Sequence, residues 1–213
     1  MPWAGKENTI SCPGGHHFRE GRWLHDPQFL DDYAVFWLRG GGSPRSYSFW
    51  IADSIWQYAK VTGDFSLAEN LLPDLVRNYE AWERERLDPN GLFWQIDDRD
   101  GMEVSIGGSG YRATINSYMF GDALAIANIA ARKGEVVLSY KYFEKAMTLL
   151  KLINENLWDQ EAGFYKVAKR SSDPNIAMKL ADVRELHGYT PWYFGAMIPQ
   201  PEYGVAWNQL TDP

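Results

Sequence analysis

A mainly α fold, built as an arc of helical hairpins with short strands confined to the loops, is predicted by three observations. The sequence repeats itself at an offset of 71 residues. Apolar residues recur at spacings of three and four in both arms of each repeat, the signature of amphipathic helices. Period-2 alternation is scarce outside pieces as short as residues 92–96, so strands are hairpin-sized at most.

The repeat is carried by four coincidences in one register. Ser46-Tyr47-Ser48-Phe49 falls on Ser117-Tyr118-Met119-Phe120, Gly63-Asp64 on Gly134-Glu135, and Leu87-Asp88 on Trp158-Asp159. Both copies then close with a turn and an aromatic pair, Asp88-Pro89-Asn90-Gly91 before Phe93-Trp94 and a turn ending in Gly163 before Phe164-Tyr165. In the first copy Ile51, Ile55, Tyr58 and Ala59 mark one helix, and Leu71, Leu72, Leu75, Val76, Tyr79 and Trp82 mark its partner. Pro73 is expected to start a fresh turn there or to kink the helix. In the second copy Ala123, Ile126, Ala127 and Ala130 make a helix that Gly134 ends, and Leu138, Tyr142, Ala146, Leu150 and Ile153 make the next. A hairpin of this kind buries its apolar faces only against neighbours, so three periods in 213 residues make an arc of a solenoid or toroid. Six hairpins closing a ring would need about 430 residues on this period.

Composition narrows the function. With 28 Asp plus Glu against 21 Lys plus Arg the net charge is −7, which argues against a nucleic-acid partner, whose phosphates are held by a cationic surplus. An apolar fraction of 45% with 23% charged residues is that of a folded, soluble chain. No apolar run suits a membrane helix, and no signal peptide opens the chain. The single Cys12 excludes an internal disulfide and a Cys-rich zinc site, but leaves the compartment open. The aromatic fraction is 15%, with 10 Trp, 12 Tyr and 10 Phe. Aromatic faces stack on the C–H surfaces of sugars, so a Trp-rich, acidic chain fits a carbohydrate cleft, although core packing also uses such rings.

Polar chemistry concentrates in residues 94–116, where Asp97, Asp98, Asp100 and Glu103 sit with Arg99, Arg112 and four glycines between two helices. Such a loop can be a solvated bend or a divalent-cation loop, but it lacks the spacing of an EF-hand. Carboxylates packed beside Trp94 can instead raise one another's proton affinity until one serves as an acid near neutral pH. Glycoside hydrolysis needs such an acid opposite a second carboxylate. Two other segments mix cations, acids and rings, residues 17–23 and residues 184–194. His16, His17, His25 and His187 show no metal-ligand spacing, and neither a nucleophile elbow, a phosphate loop nor a dinucleotide fingerprint is present, so no metal or cofactor is expected. Gly40-Gly41-Gly42 lacks the strand that a nucleotide loop requires.

Asp100-Gly101-Met102-Glu103, Ile115-Asn116-Ser117-Tyr118-Met119-Phe120-Gly121-Asp122-Ala123, Leu157-Trp158-Asp159 and Gly163-Phe164-Tyr165 together resemble the six-hairpin, (α/α)6-barrel glycosidases. The likeness is to the branch of processing α-glucosidases, trehalases and mannosylglycerate hydrolases, and runs from His17 onward. It implies an incomplete (α/α)6 toroid of about half a barrel, the N-terminal portion of a catalytic domain. Residues 1–44 would then be an N-terminal arm and first helix, 45–113 a hairpin with the catalytic-type loop, 114–186 a second hairpin, and 187–213 the start of a third unit. In that family a Gly-Trp-Asp triplet carries the general acid. The matching triplet Gly101-Met102-Glu103 places the acid on Glu103, with Met for Trp and Glu for Asp, and Asp100 in reserve. By the same resemblance Arg19, Glu20, Trp23, Arg112, Asn116 and Trp192 line the sugar site, and Trp94, Arg99 and His187 join them as candidates from the same rim segments. The family mostly inverts configuration, with a base from a late hairpin beyond this chain. Glu185 and Glu202 have no spacing that argues for that role.

The expected function is therefore acid/base hydrolysis of a glycosidic bond. A non-catalytic carbohydrate-binding or interaction module on the same scaffold is the alternative. A sugar epimerase, which needs histidine pairs, is a third reading. The charge suits a neutral glycan better than a polyanion unless Arg19, Arg22, Arg99 and Arg112 converge. A homodimer that covers the open barrel edges is a further expectation, since two half-rings could shield each other.

Overall fold

The computed structural model describes residues 9–101, 104–171, 178–197 and 201–211. Its helices are α1 (Gly14–Gly21), α2 (Gln28–Leu38), α3 (Ile51–Thr62), α4 (Ser66–Arg86), α5 (Ala113–Arg132), α6 (Val136–Asn156), α7 (Thr190–Phe194) and α8 (Pro201–Asn208). Two two-stranded antiparallel ladders decorate the loops. β1 (Trp94–Gln95) pairs with β2 (Gly110–Tyr111), and β3 (Trp158–Asp159) with β4 (Phe164–Tyr165). The fold is mainly α, an arc of a helical toroid.

Helices α1, α3, α5 and α7 form an inner row in which each packs on the next. They run parallel: Gly15 lies against Trp50 and Arg19 bonds Asp53 farther along, while Trp50 stacks near Tyr118 and Asp53 bonds Asp122. The N-termini of the inner helices therefore share one rim, and so do the loops that lead into them. Between α4, α5 and α6 the core is built from Tyr79, Trp82, Phe93 and Tyr142, all buried, with Tyr79 edge-on to Tyr142 at a centroid distance of 5.2 Å. The small Ala123, Ala125, Ala127 and Ala130 of α5 are buried too. Short side chains on so central a helix let its neighbours approach closely.

The repeat is visible as matched geometry. α4 and α6 each run 21 residues. Gly63 and Gly134 both take left-handed φ values, +75° and +76°, to end α3 and α5. At the second site the N–H of Glu135 reaches the carbonyl of Ala130 and that of Gly134 the carbonyl of Ala131, the paired bonds of a Schellman cap. The Leu87–Phe93 bridge of the first copy corresponds to the Trp158–Tyr165 pair of the second.

Three details bear on the sequence reading. α4 continues through Pro73, which sits inside the helix; Pro73 is exposed while Leu71, Leu72, Asp74 and Leu75 are buried, so packing of the opposite face holds the helix together across the proline. Residues 14–38 hold two helices, α1 and α2, not one. By the 71-residue offset α5 would begin at residue 122, whereas it begins at Ala113. The extra turns are tied down by their own polar side chains: Asn116 accepts the N–H of Phe93 and donates to its carbonyl, both at 2.8 Å, and Thr114 donates to Asp100.

Asp122, buried in the middle of α5, accepts the N–H of Asp53 at 2.9 Å and also bonds the N–H of Ala52. Two free amides of the first turn of α3 are thus capped from another helix. Burial, with the nearby Asp53 charge, raises the Asp122 carboxyl well above the ordinary carboxylate range, although the amide bonds oppose this. A group with a raised folded value binds its proton more tightly in the native state, so stability falls as pH rises from the unfolded carboxylate value, about 4, through the folded one. Asp122→Asn keeps an acceptor and removes that slope, and is expected to stay within ~1 kcal/mol of wild type at neutral pH. Asp122→Ala leaves two buried amides unpaired and is expected to lose ~1–3 kcal/mol. Urea midpoints of the three proteins at pH 4.5 and 7.5 check both statements.

Candidate active site

The loop between α4 and α5 crosses the rim as β1, a 3-10 turn over Asp97–Arg99, then, among the described residues, 100–101 and 104–109, and β2. Asp100 is 2% exposed and forms the hub of a buried network. Its carboxylate accepts Nε–H of Arg112 at 2.6 Å, the hydroxyl of Ser48 at 2.5 Å and the hydroxyl of Thr114. Arg112, wholly buried, also donates from one terminal nitrogen to Ser105 Oγ at 2.8 Å and to the Gly108 carbonyl at 2.6 Å. The pair thus fastens both sides of the loop to the base of α5. A Cβ on Gly101, whose φ is +74°, would meet Cys12 Sγ at 2.7 Å, so the chain leaves Asp100 pressed against the segment before α1. Met102 and Glu103, the sequence-predicted acid, lie outside the described residues. Val104, which follows, takes a φ of +60° and is 86% exposed.

Beside the loop the rim opens into a cleft of about 490 Å³. It is lined by His16 of α1, Trp50, Tyr118 of α5, and Leu186, Tyr189, Trp192 and Tyr193 around α7, with Trp207 of α8. Trp50 and Tyr118 are 4.3 Å apart at their centroids, and His16 stands edge-on to Trp50 at 5.0 Å. Tyr118 connects cleft and network. Burial, and then the Asp100 carboxylate, raise its phenol well above the ordinary range, so it is a neutral donor at the cleft floor. Burial and the neighbouring His17 lower His16, and burial and Arg112 lower His187. His187 is therefore neutral near pH 7, and it bonds Glu185 at 3.2 Å through Nε2.

Of the sequence-predicted residues, the structure brings Asp100, Arg112, His187 and Trp192 to the loop and cleft. Arg19 is adjacent: it donates to Asp53 Oδ2 at 2.8 Å and lies over the Tyr193 ring at 4.3 Å. Arg99 is exposed and stands 5.1 Å from the Tyr47 ring. Trp23 is 69% exposed beyond the far end of α1, with Arg22 over its ring, and Glu20 is exposed on the same helix. Trp94 is covered by Arg86 and Arg170, at 4.3 and 3.9 Å, and Asn116 spends its amide on the Phe93 backbone and the Arg112 carbonyl. The four arginines Arg19, Arg22, Arg99 and Arg112 do not converge. Sequence reasoning missed His16, Trp50, Tyr118 and Tyr193 as cleft residues; aromatic density within residues 47–50, 118–120 and 189–194 was the available signal. Among the described residues no group of three or more His, Cys, Asp or Glu is placed to hold a metal ion, and no helix is long and apolar enough to cross a membrane.

Comparison with known proteins gives the same direction. No curated protein matches the chain. A solved structure titled as a sialidase superposes with a TM-score of 0.90 and 37% sequence identity over 100% of this chain, which spans 20% of that sialidase. A family model described as the mannosylglycerate hydrolase MGH1-like glycoside hydrolase domain matches residues 6–213. With a match over nearly its whole length, the chain belongs to this family of glycoside hydrolase domains.

Proposed function

We propose that the domain supplies the acid side of a glycosidase active site: Glu103 protonates the glycosidic oxygen while the aromatic cleft of Tyr118, Trp192 and Tyr193, backed by the buried Trp50, holds the sugar. The observation that carries this reading is a loop fastened at Asp100 and at residues 105–108 to the inner helices, at the mouth of an aromatic cleft. Asp100 accepts three donors and has no exposed side-chain surface, so it serves as the anchor, and the proton donor is the neighbouring Glu103. Hydrolysis by inversion then requires a second carboxylate about 6.5–9.5 Å from the acid to activate water. The resemblance assigns that base to a later hairpin of the toroid. The arginines near the cleft are engaged by Asp100, Asp53 and aromatic faces, which favours a neutral sugar over a carboxylated one.

The test is a panel of p-nitrophenyl glycosides, mannosylglycerate and a sialoside incubated with the full-length protein, with the anomer of the first product read by NMR. Turnover of a neutral glycoside to the inverted anomer is expected. Retention of configuration removes the inverting mechanism, turnover of the sialoside alone removes the neutral sugar, and glycan binding without turnover makes the domain a binding module.

A further inference from the structure

The segment that walls the aromatic cleft also reaches back to the acid loop. Glu185 directly precedes the 3-10 turn Leu186–Tyr189 and α7, which bring Leu186, Tyr189, Trp192 and Tyr193 to the cleft. Its carboxylate accepts the N–H of Ile106 at 2.9 Å on one oxygen and the N–H of Gly107 at 3.1 Å on the other. His187 Nε2 donates to the second oxygen at 3.2 Å. The seat is close: a Cβ on Gly107 would meet that oxygen at 2.6 Å and Val167 Cγ2 at 2.9 Å. Only a residue without a Cβ lets the carboxylate approach both amides.

Residues 105–108 are thus gripped from two sides. Arg112 holds Ser105 and Gly108 from the base of α5, and Glu185 holds the two residues between them from the segment just before the third unit. The second grip falls on backbone amides, so it fixes where the loop lies whatever side chains the loop carries. It is also one peptide bond from Leu186, which is 70% exposed at the cleft. A sugar seated against Leu186 and Tyr189 bears on the segment that holds the loop. Arg112 alone would anchor the loop; the Glu185 bonds add a connection between the sugar site and the acid.

We infer that Glu185 is a positioning residue of the acid loop, which it holds in place through its bonds to the Ile106 and Gly107 amides. The inference rests on the reading of Glu103 as the acid. Glu185→Gln can accept at one oxygen only, because its amide nitrogen faces an N–H donor. Gly107→Ala attacks the same contact from the loop side, by driving the carboxylate off its seat.

The experiment uses the full-length protein and the methyl and 2,4-dinitrophenyl glycosides of the sugar that the panel returns. Turnover of the methyl glycoside, which needs a protonated leaving group, should fall about 10–100-fold in each variant, the size of effect a misplaced catalytic group produces. KM for it, and turnover of the dinitrophenyl glycoside, should each stay within about threefold, since binding and an activated leaving group do not depend on the acid. Hydrogen exchange, which needs no substrate, should quicken at Ile106 and Gly107 in Glu185→Gln while α5 keeps its protection. Glu103→Gln is the reference. If it discriminates between the leaving groups and the two loop-clamp variants do not, or if these lose both substrates equally, the positioning role is overturned and the acid assignment stands. If Glu103→Gln itself fails to discriminate, or if the panel returns no substrate, both fall. Unchanged exchange at Ile106 and Gly107 overturns the positioning role by itself.

Discussion

Replacing Glu103 by glutamine in the full-length protein should slow hydrolysis of an alkyl glycoside by roughly 10²–10⁴-fold, the ordinary worth of a positioned proton donor. Glutamine keeps the shape and the hydrogen-bonding reach of the side chain but has no proton to give. The loss should therefore appear in kcat, with KM little changed, because the interaction removed is one made in the transition state. Leaving-group chemistry sharpens the test. An alkoxide is a poor leaving group and needs its oxygen protonated as the bond breaks, whereas dinitrophenolate leaves unaided. The Glu103→Gln protein should thus retain most of its activity on the dinitrophenyl glycoside. Full activity on both substrates would remove Glu103 from the acid role.

The second large effect is on stability. Arg112→Met should lower the unfolding free energy by ~3–5 kcal/mol, the cost of leaving one partner of a buried ion pair uncompensated. Both side chains are entirely removed from solvent, with 0% exposure on each side of the pair. Methionine fills much of the volume but returns none of the bonds to Asp100, Ser105 and Gly108. Urea denaturation measures the loss as a lower midpoint at an unchanged slope. Combining Arg112→Met with Asp100→Asn should recover part of it, because the buried charge is gone, the asparagine oxygen still accepts from one of the Ser48 and Thr114 hydroxyls, and the other hydroxyl can turn to accept from its amide. A single Arg112→Met within ~1 kcal/mol of wild type would contradict the network described above.

Elements with a clean periodic signal were legible from sequence, and those set by long-range partners were not. The long helix α6, the two arms of α4 on either side of Pro73 and the glycine that ends α5 follow from spacing. The early start of α5 does not, because it is decided by Asn116 and Thr114 reaching Phe93 and Asp100, 23 and 14 residues away. The same limit applies at the rim. Asp100 and Arg112 stand out as charges in a glycine-rich loop, but sequence spacing cannot tell a charge that faces substrate from one that meets its counter-charge in the interior. Trp94 and Trp50 look alike on the page. One lies beneath two guanidinium groups, and the other forms part of the cleft.

The parallel run of the inner helices has an electrostatic consequence. Peptide dipoles add along a helix to about half a positive charge at its N-terminus, and α3 and α5, of 12 and 20 residues, direct that end to the same rim. A protein of net charge −7 therefore turns a locally electropositive face toward its acid loop. That field offers the acidic residues 97–100 of the loop a favourable counter-field.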